Sequence, residues 1–211
     1  MPSSKGLLKN SKLYLILDTQ VKDYETLLET AKKAVLSGVR VIQLRDKFGE
    51  AKDSLKFSRK ILGWARGRIV YIVNDRVDIA KACGASGVHV GQDDLPVVDA
   101  RKILGRRAVI GVSCQNWDHA QKAQGQGADY IGFGSVFKTL TKPDRKPMDQ
   151  KMLKKVLSGI KIPVFAIGGI NSENMLPLRT LGVQRFAACR AILEARDTYL
   201  AVNEFHRMIN G

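Results

Sequence analysis

Residues 69–94 read IVYIVNDRVDIAKACGASGVHVGQDD, and they decide the fold. Residues 69–73 are a short, β-branched apolar run of strand length that stops at the polar pair Asn74 and Asp75. Residues 77–83 change to helical spacing, and Gly84 suits the left-handed turn that ends such a helix. Residues 87–90 then begin a second apolar run, which gives way to Gln92, Asp93 and Asp94. The unit is strand, polar end, helix, glycine, strand.

Outward from this unit the same alternation covers the chain. Strands are expected at 13–17, 39–44, 69–73, 87–90, 108–112, 130–133, 164–167 and 185–188. Helices are expected at 24–37, 51–66, 77–83, 99–104, 117–126, 150–157, 173–180 and 198–208. Gly38, Gly84, Gly127 and Gly182 each stand between a helical stretch and the next strand. Eight βα units without a Pro/Ser-rich or charged linker favour one closed parallel barrel over an open doubly wound sheet. The expected fold class is α/β, a single (β/α)8 TIM barrel over residues 11–211. Residues 1–10, polar and basic, read as a loose N-terminal extension.

The chain has 211 residues, 45% of them hydrophobic, enough to bury a sizeable core and too many for a disordered or fibrous chain. Its 35 Lys and Arg against 20 Asp and Glu leave a net charge of +15. Such an excess fits nucleic acid, a membrane surface or phosphorylated small molecules as partners, and equally a solvated basic surface, because the cations are scattered rather than clustered. No apolar run reaches the roughly 18 to 20 residues of a membrane helix, and residues 13–17 are too short for a signal-peptide core. A cytoplasmic location is expected. Cys83, Cys114 and Cys189 show no CxxC spacing, so they read as free thiols, neither a disulfide framework nor a zinc site.

Catalytic groups of such a barrel come from the carboxyl ends of its strands, and polar residues collect there. Gln43 and Arg45 share one face of the second strand, with Lys47 continuing the parity. Two cations at a barrel mouth suit a phosphate or pyrophosphate, with a structural ion pair as the alternative for Arg45. Asp75 and Asp94 end adjacent strands and suit Mg2+, or else each caps the helix that follows. Gly168 and Gly169 allow backbone amides to approach an anion, and Arg190 follows the eighth strand. The connection over 135–147 carries Lys138, Lys142, Arg145 and Lys146 and reads as a basic lid or a solvated loop. His89, inside the fourth strand, reads as a structural histidine, and His119 and His206 belong to helices. Ser113 lacks a defensible Ser-His-Asp spacing, and no Walker A, GxGxxG or HExxH motif occurs. The mouth looks built to bind charge, without a protein nucleophile.

Six stretches carry a resemblance: Gln43-Leu44-Arg45-Asp46-Lys47, Val73-Asn74-Asp75-Arg76-Val77-Asp78, Gly87-Val88-His89-Val90-Gly91-Gln92-Asp93-Asp94-Leu95, Gly111-Val112-Ser113, Thr139-Leu140-Thr141-Lys142-Pro143 and Ala166-Ile167-Gly168-Gly169-Ile170-Asn171. In that order they resemble the thiamine phosphate synthase family. The resemblance implies a transferase that joins 4-amino-2-methyl-5-hydroxymethylpyrimidine diphosphate to a thiazole phosphate and releases pyrophosphate. In that family the pyrimidine diphosphate ionises to a stabilised cation, which the thiazole nitrogen attacks. Carried over by motif, Arg45, Lys47 and Lys142 would hold the diphosphate, Asp75 and Asp94 would bind Mg2+, and Gln43, Asn74 and Ser113 would face the pyrimidine. Thr139, Leu140, Thr141 and Gly169 would line the thiazole phosphate site. Leu44, Asp46, Cys189 and Arg190 are counted with the substrate-binding residues, and Arg45, Lys47, Lys142 and Ser113 with the catalytic ones. The chain departs from the family pattern at Arg190, where a serine is usual, at Gly134-Ser135, usually Gly-Pro, and at Lys138, usually a small residue or proline.

Three rivals stand beside this reading. A thiazole tautomerase-like paralogue would share the barrel and lack coupling activity; Gln43, Ser113, Asp75 and Asp94 argue against it. A phosphosugar isomerase or epimerase would need a general acid/base pair, which the mouth lacks beyond its aspartates. A nucleic-acid binder would need clustered cations or exposed aromatic platforms. The expected partners are small phosphorylated substrates, with no nucleic acid and no membrane, and a homo-oligomer is compatible with the sequence.

Overall fold

The computed structural model describes residues 3–141 and 146–211. Eight parallel strands close into one barrel in chain order: β1 Leu13–Asp18, β2 Val41–Arg45, β3 Val70–Asn74, β4 Gly87–Val90, β5 Val109–Cys114, β6 Tyr130–Phe133, β7 Val164–Ile167 and β8 Phe186–Ala188. Ten helices lie among the described residues: α1 Ser4–Asn10, α2 Tyr24–Leu36, α3 Ala51–Ala65, α4 Val77–Cys83, α5 Val97–Leu104, α6 Trp117–Gly125, α7 Gln150–Gly159, α8 Met175–Thr180, α9 Arg190–Leu193 and α10 Thr198–Asn210. None is long and apolar enough to cross a membrane.

Because side chains alternate along a strand, each strand feeds two cores. The outward set, including Leu15, Ile42, Leu44, Val73, Val88, Ile110, Ile131 and Ala166, packs against the helices. The inward set fills the barrel with Tyr14, Ile16, Val41, Val70, Ile72, Val109, Tyr130 and Phe165. Parallel strands buried on both faces must be apolar at nearly every position, which is why they read as continuous runs. Among the inward positions, polar side chains appear toward the carboxyl ends, at Asp18, Gln43, Arg45, Asn74, His89 and Ser113.

Two elements lie outside the sequence expectation. Residues 4–10, read as a loose extension, form α1: Ser3 caps it by accepting from the Gly6 amide at 3.2 Å, and Leu8 is buried in the barrel-interior cluster. Lys5 also pairs with Asp129 at 2.7 Å. A short polar, basic segment hides one apolar side chain that only the open amino-terminal end of a barrel can bury. The second is α9, a single turn that begins at Arg190, so this residue sits on a helix rather than in a loop.

Leu8→Ala is expected to lower stability by roughly 2–5 kcal/mol in urea unfolding, the range for emptying a buried leucine site. Catalytic parameters should stay within about twofold, because α1 lies at the end of the barrel away from the strand carboxyl ends.

Candidate active site

A cavity of about 470 Å3 opens at the carboxyl ends of the strands, within the range of small-molecule sites. Of the residues singled out in the sequence, Gln43, Arg45, Asn74, Ser113, Thr139, Leu140, Thr141, Gly169, Cys189 and Arg190 line it. Lys47, Asp75 and Asp94 stand beside it, whereas Lys142 and Arg145 lie outside the described residues.

The cations are paired rather than unpartnered. Arg45, 8% exposed, donates through Nη1 to Asp18 Oδ2 at 2.8 Å and to Gln20 Oε1 at 2.7 Å. Asp18 faces Arg45 across the β1–β2 register and is 1% exposed. The structural ion pair considered for Arg45 therefore exists, and the sequence reading missed its partner. The signal was present, since Asp18 has the inward parity of Tyr14 and Ile16. Arg45 keeps its place in the cavity wall, and a guanidinium has five N–H groups to share between Asp18, Gln20 and a ligand.

Lys47 bonds to Asp75, the second case of a cation meeting a carboxylate. Asp75 has a positive φ of 59°, and its amide donates to the His89 carbonyl at 2.8 Å. That bond turns the end of β3 toward β4 and Asp94. Burial raises the Asp75 pKa, the Lys47 hydrogen bond opposes the rise, and the Asp94 carboxyl adds to it. The net direction is upward. Asp94 Oδ2 accepts from the Gly91 amide at 2.7 Å. Neither aspartate caps the following helix, because α4 starts after Arg76 and α5 after Pro96, both without a side-chain cap.

Two neighbouring carboxylates against one lysine leave a local excess of one negative charge. That donor set fits a hard divalent cation taking one or two carboxylates and completing its shell with water and substrate oxygens. Among the described residues no group of three or more His, Cys, Asp or Glu side chains stands in a metal-ligand arrangement. A cation on these two carboxylates would take the rest of its shell from water or a ligand.

Two residues expected to bind substrate do something else. Leu44, 1% exposed, has the opposite parity to Gln43 and Arg45 and points into the helix layer. Asp46 is occupied by Thr19 Oγ1 and the Gly49 amide, both at 2.9 Å, and by the Tyr24 and Ser54 hydroxyls. Burial works against its ionisation, but the bonds from Ser54, Tyr24, Thr19 and Gly49 together outweigh it and lower the pKa. Asp46 holds the turn that presents Lys47.

The far side of the cavity is built by the segment after β6 and by β7. Val136 and Phe137 donate amide bonds to the carbonyls of Ile167 and Gly168 at 2.9 and 3.0 Å. Gly169, at φ 65°, passes so close that a Cβ there would lie 2.4 Å from the Lys138 carbonyl oxygen, so only glycine fits. Arg190 pairs with Glu194, and its Nε is buried without a hydrogen-bond partner among the described residues. A donor in that state is open to an incoming oxyanion. The Cys189 thiol is pushed up to about 12, first by burial and then by the Asp18 charge. It stays protonated and is no nucleophile.

His89 is the residue that sequence reasoning undervalued. It lines the cavity, with Nδ1 3.0 Å from the Tyr130 hydroxyl and Nε2 2.9 Å from Ser113 Oγ. Its inward parity on β4 was the available signal, whereas the contact with Ser113 depends on β4 pairing with β5.

Comparison with known proteins places this geometry. Residues 13–192 match the family model described as thiamine monophosphate synthase. The chain is 38% identical over 204 residues to a thiamine-phosphate synthase of Fusobacterium nucleatum, covering 96% of this chain and 99% of that one. It is 40% identical over 186 residues to one of Ruminiclostridium cellulolyticum, covering 88% and 89%. A solved thiamine phosphate pyrophosphorylase from Pyrococcus furiosus superposes with a TM-score of 0.86 at 33% identity, covering 96% of this chain and 97% of that one. The barrel, its order of polar strand ends and these matches agree that the chain belongs to the thiamine monophosphate synthase family.

Proposed function

We propose that the protein condenses 4-amino-2-methyl-5-hydroxymethylpyrimidine diphosphate with thiazole phosphate, giving thiamine phosphate and pyrophosphate. The observation that carries this reading is one cavity whose lining sets a neutral wall of Gln43, Asn74 and Ser113 against Arg45, with the charged side chains of Lys47, Asp75 and Asp94 beside it. A heteroaromatic ring fits the first, and a diphosphate fits the second.

The chemistry needs no nucleophilic side chain. The bond from the pyrimidine methylene carbon to the diphosphate oxygen breaks, and its electron pair leaves with pyrophosphate. The thiazole nitrogen lone pair then forms the new carbon–nitrogen bond, and no proton has to move. Arg45 and Lys47 hold the departing charge in place, with Lys142 assigned to the same role by its motif. Mg2+, held by Asp75 and Asp94, would supply further positive charge to the pyrophosphate oxygens. Donors aimed in advance at developing charge, and reactants held in register, account for most of what such a site can contribute. Thr139, Thr141, Gly169 and Arg190 would seat the thiazole phosphate opposite the pyrimidine.

The test is a coupling assay with both substrates and Mg2+. Equal amounts of pyrophosphate and thiamine phosphate, both abolished by chelation, are expected. Binding of thiazole phosphate without product formation would overturn the proposal in favour of a tautomerase-like paralogue. Asp75→Ala and Asp94→Ala are each expected to reduce turnover by about a hundredfold or more, the scale of removing charge stabilisation from a transition state. Their melting temperatures should remain close to that of the parent, and an unaltered Mg2+ dependence in both would refute the metal assignment. Arg190→Ser is expected to raise the thiazole phosphate KM by about tenfold, the size of one charge-assisted hydrogen bond. The pyrimidine diphosphate KM should change little, and equal small effects on both would remove Arg190 from the site.

A further inference from the structure

Inward parity brings five polar side chains together at the floor of the cavity. Tyr14 and Tyr130 are almost wholly buried, and Gln43, His89 and Ser113 lie above them. The rings have room because their inward neighbours are glycines. A Cβ at Gly111 would lie 2.0 Å from the Tyr130 ring, and one at Gly132 would lie 3.3 Å from the His89 ring.

These five side chains form an unbroken line. Gln43 Nε2 donates to the Tyr14 hydroxyl at 2.6 Å, the two tyrosine hydroxyls are 2.8 Å apart, Tyr130 meets His89 Nδ1 at 3.0 Å, and His89 Nε2 meets Ser113 Oγ at 2.9 Å. Each hydroxyl has one proton to give, and a neutral imidazole donates from one nitrogen only. A bond received from Gln43 therefore sends the Tyr14 proton to Tyr130 and the Tyr130 proton to Nδ1. That leaves the imidazole proton on Nε2, directed at Ser113 Oγ. The Ser113 proton then remains for an acceptor in the cavity, and Gln43 Oε1 remains as an acceptor. Apart from complete reversal of the line, a mixed order either leaves a buried hydroxyl proton without an acceptor or sets two lone pairs face to face. Burial raises both tyrosine pKa values, so the hydroxyls keep their protons.

We propose that Tyr14, Tyr130 and His89 are positioning residues that tie the hydrogen-bonding polarity of Gln43 to that of Ser113, so that the cavity presents a matched acceptor and donor to one edge of an aminopyrimidine. The proposal rests on the synthase reading of this cavity for its ligand. The contribution of these residues is selection, since an edge with the wrong order of donor and acceptor meets both ends mismatched.

Two measurements test the relay. Nitrogen-15 NMR of the ligand-free wild-type protein is expected to show His89 as a single neutral tautomer, protonated at Nε2 and bare at Nδ1. Protonation at Nδ1, or a mixture of tautomers, would overturn the one-way relay. In the coupling assay Tyr130→Phe is expected to lower kcat/KM for the pyrimidine diphosphate by about tenfold, the size of one buried hydrogen bond, with the thiazole phosphate KM unchanged. The fold-losses of Tyr14→Phe and Ser113→Ala should fall short of multiplying in the parent, and should multiply in the Tyr130→Phe background, where the line is already cut. Multiplication in both backgrounds would reduce the tyrosines to packing. A wild-type protein that forms no thiamine phosphate would remove the synthase reading, and the NMR result alone would then decide whether the relay exists. The same spectrum decides it if Tyr130→Phe does not fold.

Discussion

The interior of a closed eight-stranded barrel admits only a few layers of side chains. Here the middle of that volume is closed by Tyr14, Tyr130 and Phe165, whose ring centroids are 5.4 to 5.8 Å apart in edge-on contact. Glycine at 111 and 132 makes space for Tyr130 and His89. Everything above this plug becomes cavity, and everything below it is a dry core that Leu8 of α1 helps to complete. Polar groups just above a dry floor have little water to bond with, so they must satisfy one another. The hydrogen-bonded line from Gln43 to Ser113 follows from that need.

Electrostatics at the rim follows a related rule. A buried cation requires a carboxylate, which Asp18 supplies to Arg45, while the exposed Lys47 is paired with Asp75. These pairs hold the cations in place before a ligand arrives, leaving donors to share with a diphosphate. The Cys189 thiol and the two buried phenols are held in their neutral forms. These groups are therefore held out of nucleophilic and acid–base roles.

Much of this could be read along the chain. The eight βα units follow from strand-length apolar runs, helical spacing and glycine stops. The polar strand ends followed from the same units, and period-two parity correctly grouped Gln43 with Arg45. Where parity was not applied, the reading slipped: Leu44 faces the helices, and Asp18 was passed over although it shares the parity of Tyr14. Asp46 was misassigned for another reason, since its partners Thr19, Tyr24 and Ser54 come from three different segments.

The sequence by itself determined the βα order, the closed parallel barrel, the collection of polar residues at the strand ends and, through six ordered motifs, the family. Those properties arise from local spacing, which a chain carries in one dimension. Tertiary structure alone decided that Arg45 meets Asp18, that Asp75 turns toward Asp94, that α1 plugs the barrel with Leu8, and that His89 joins Tyr130 to Ser113. Each of these depends on which strands lie side by side and which side chains meet across the barrel, a proximity that sequence separation does not encode.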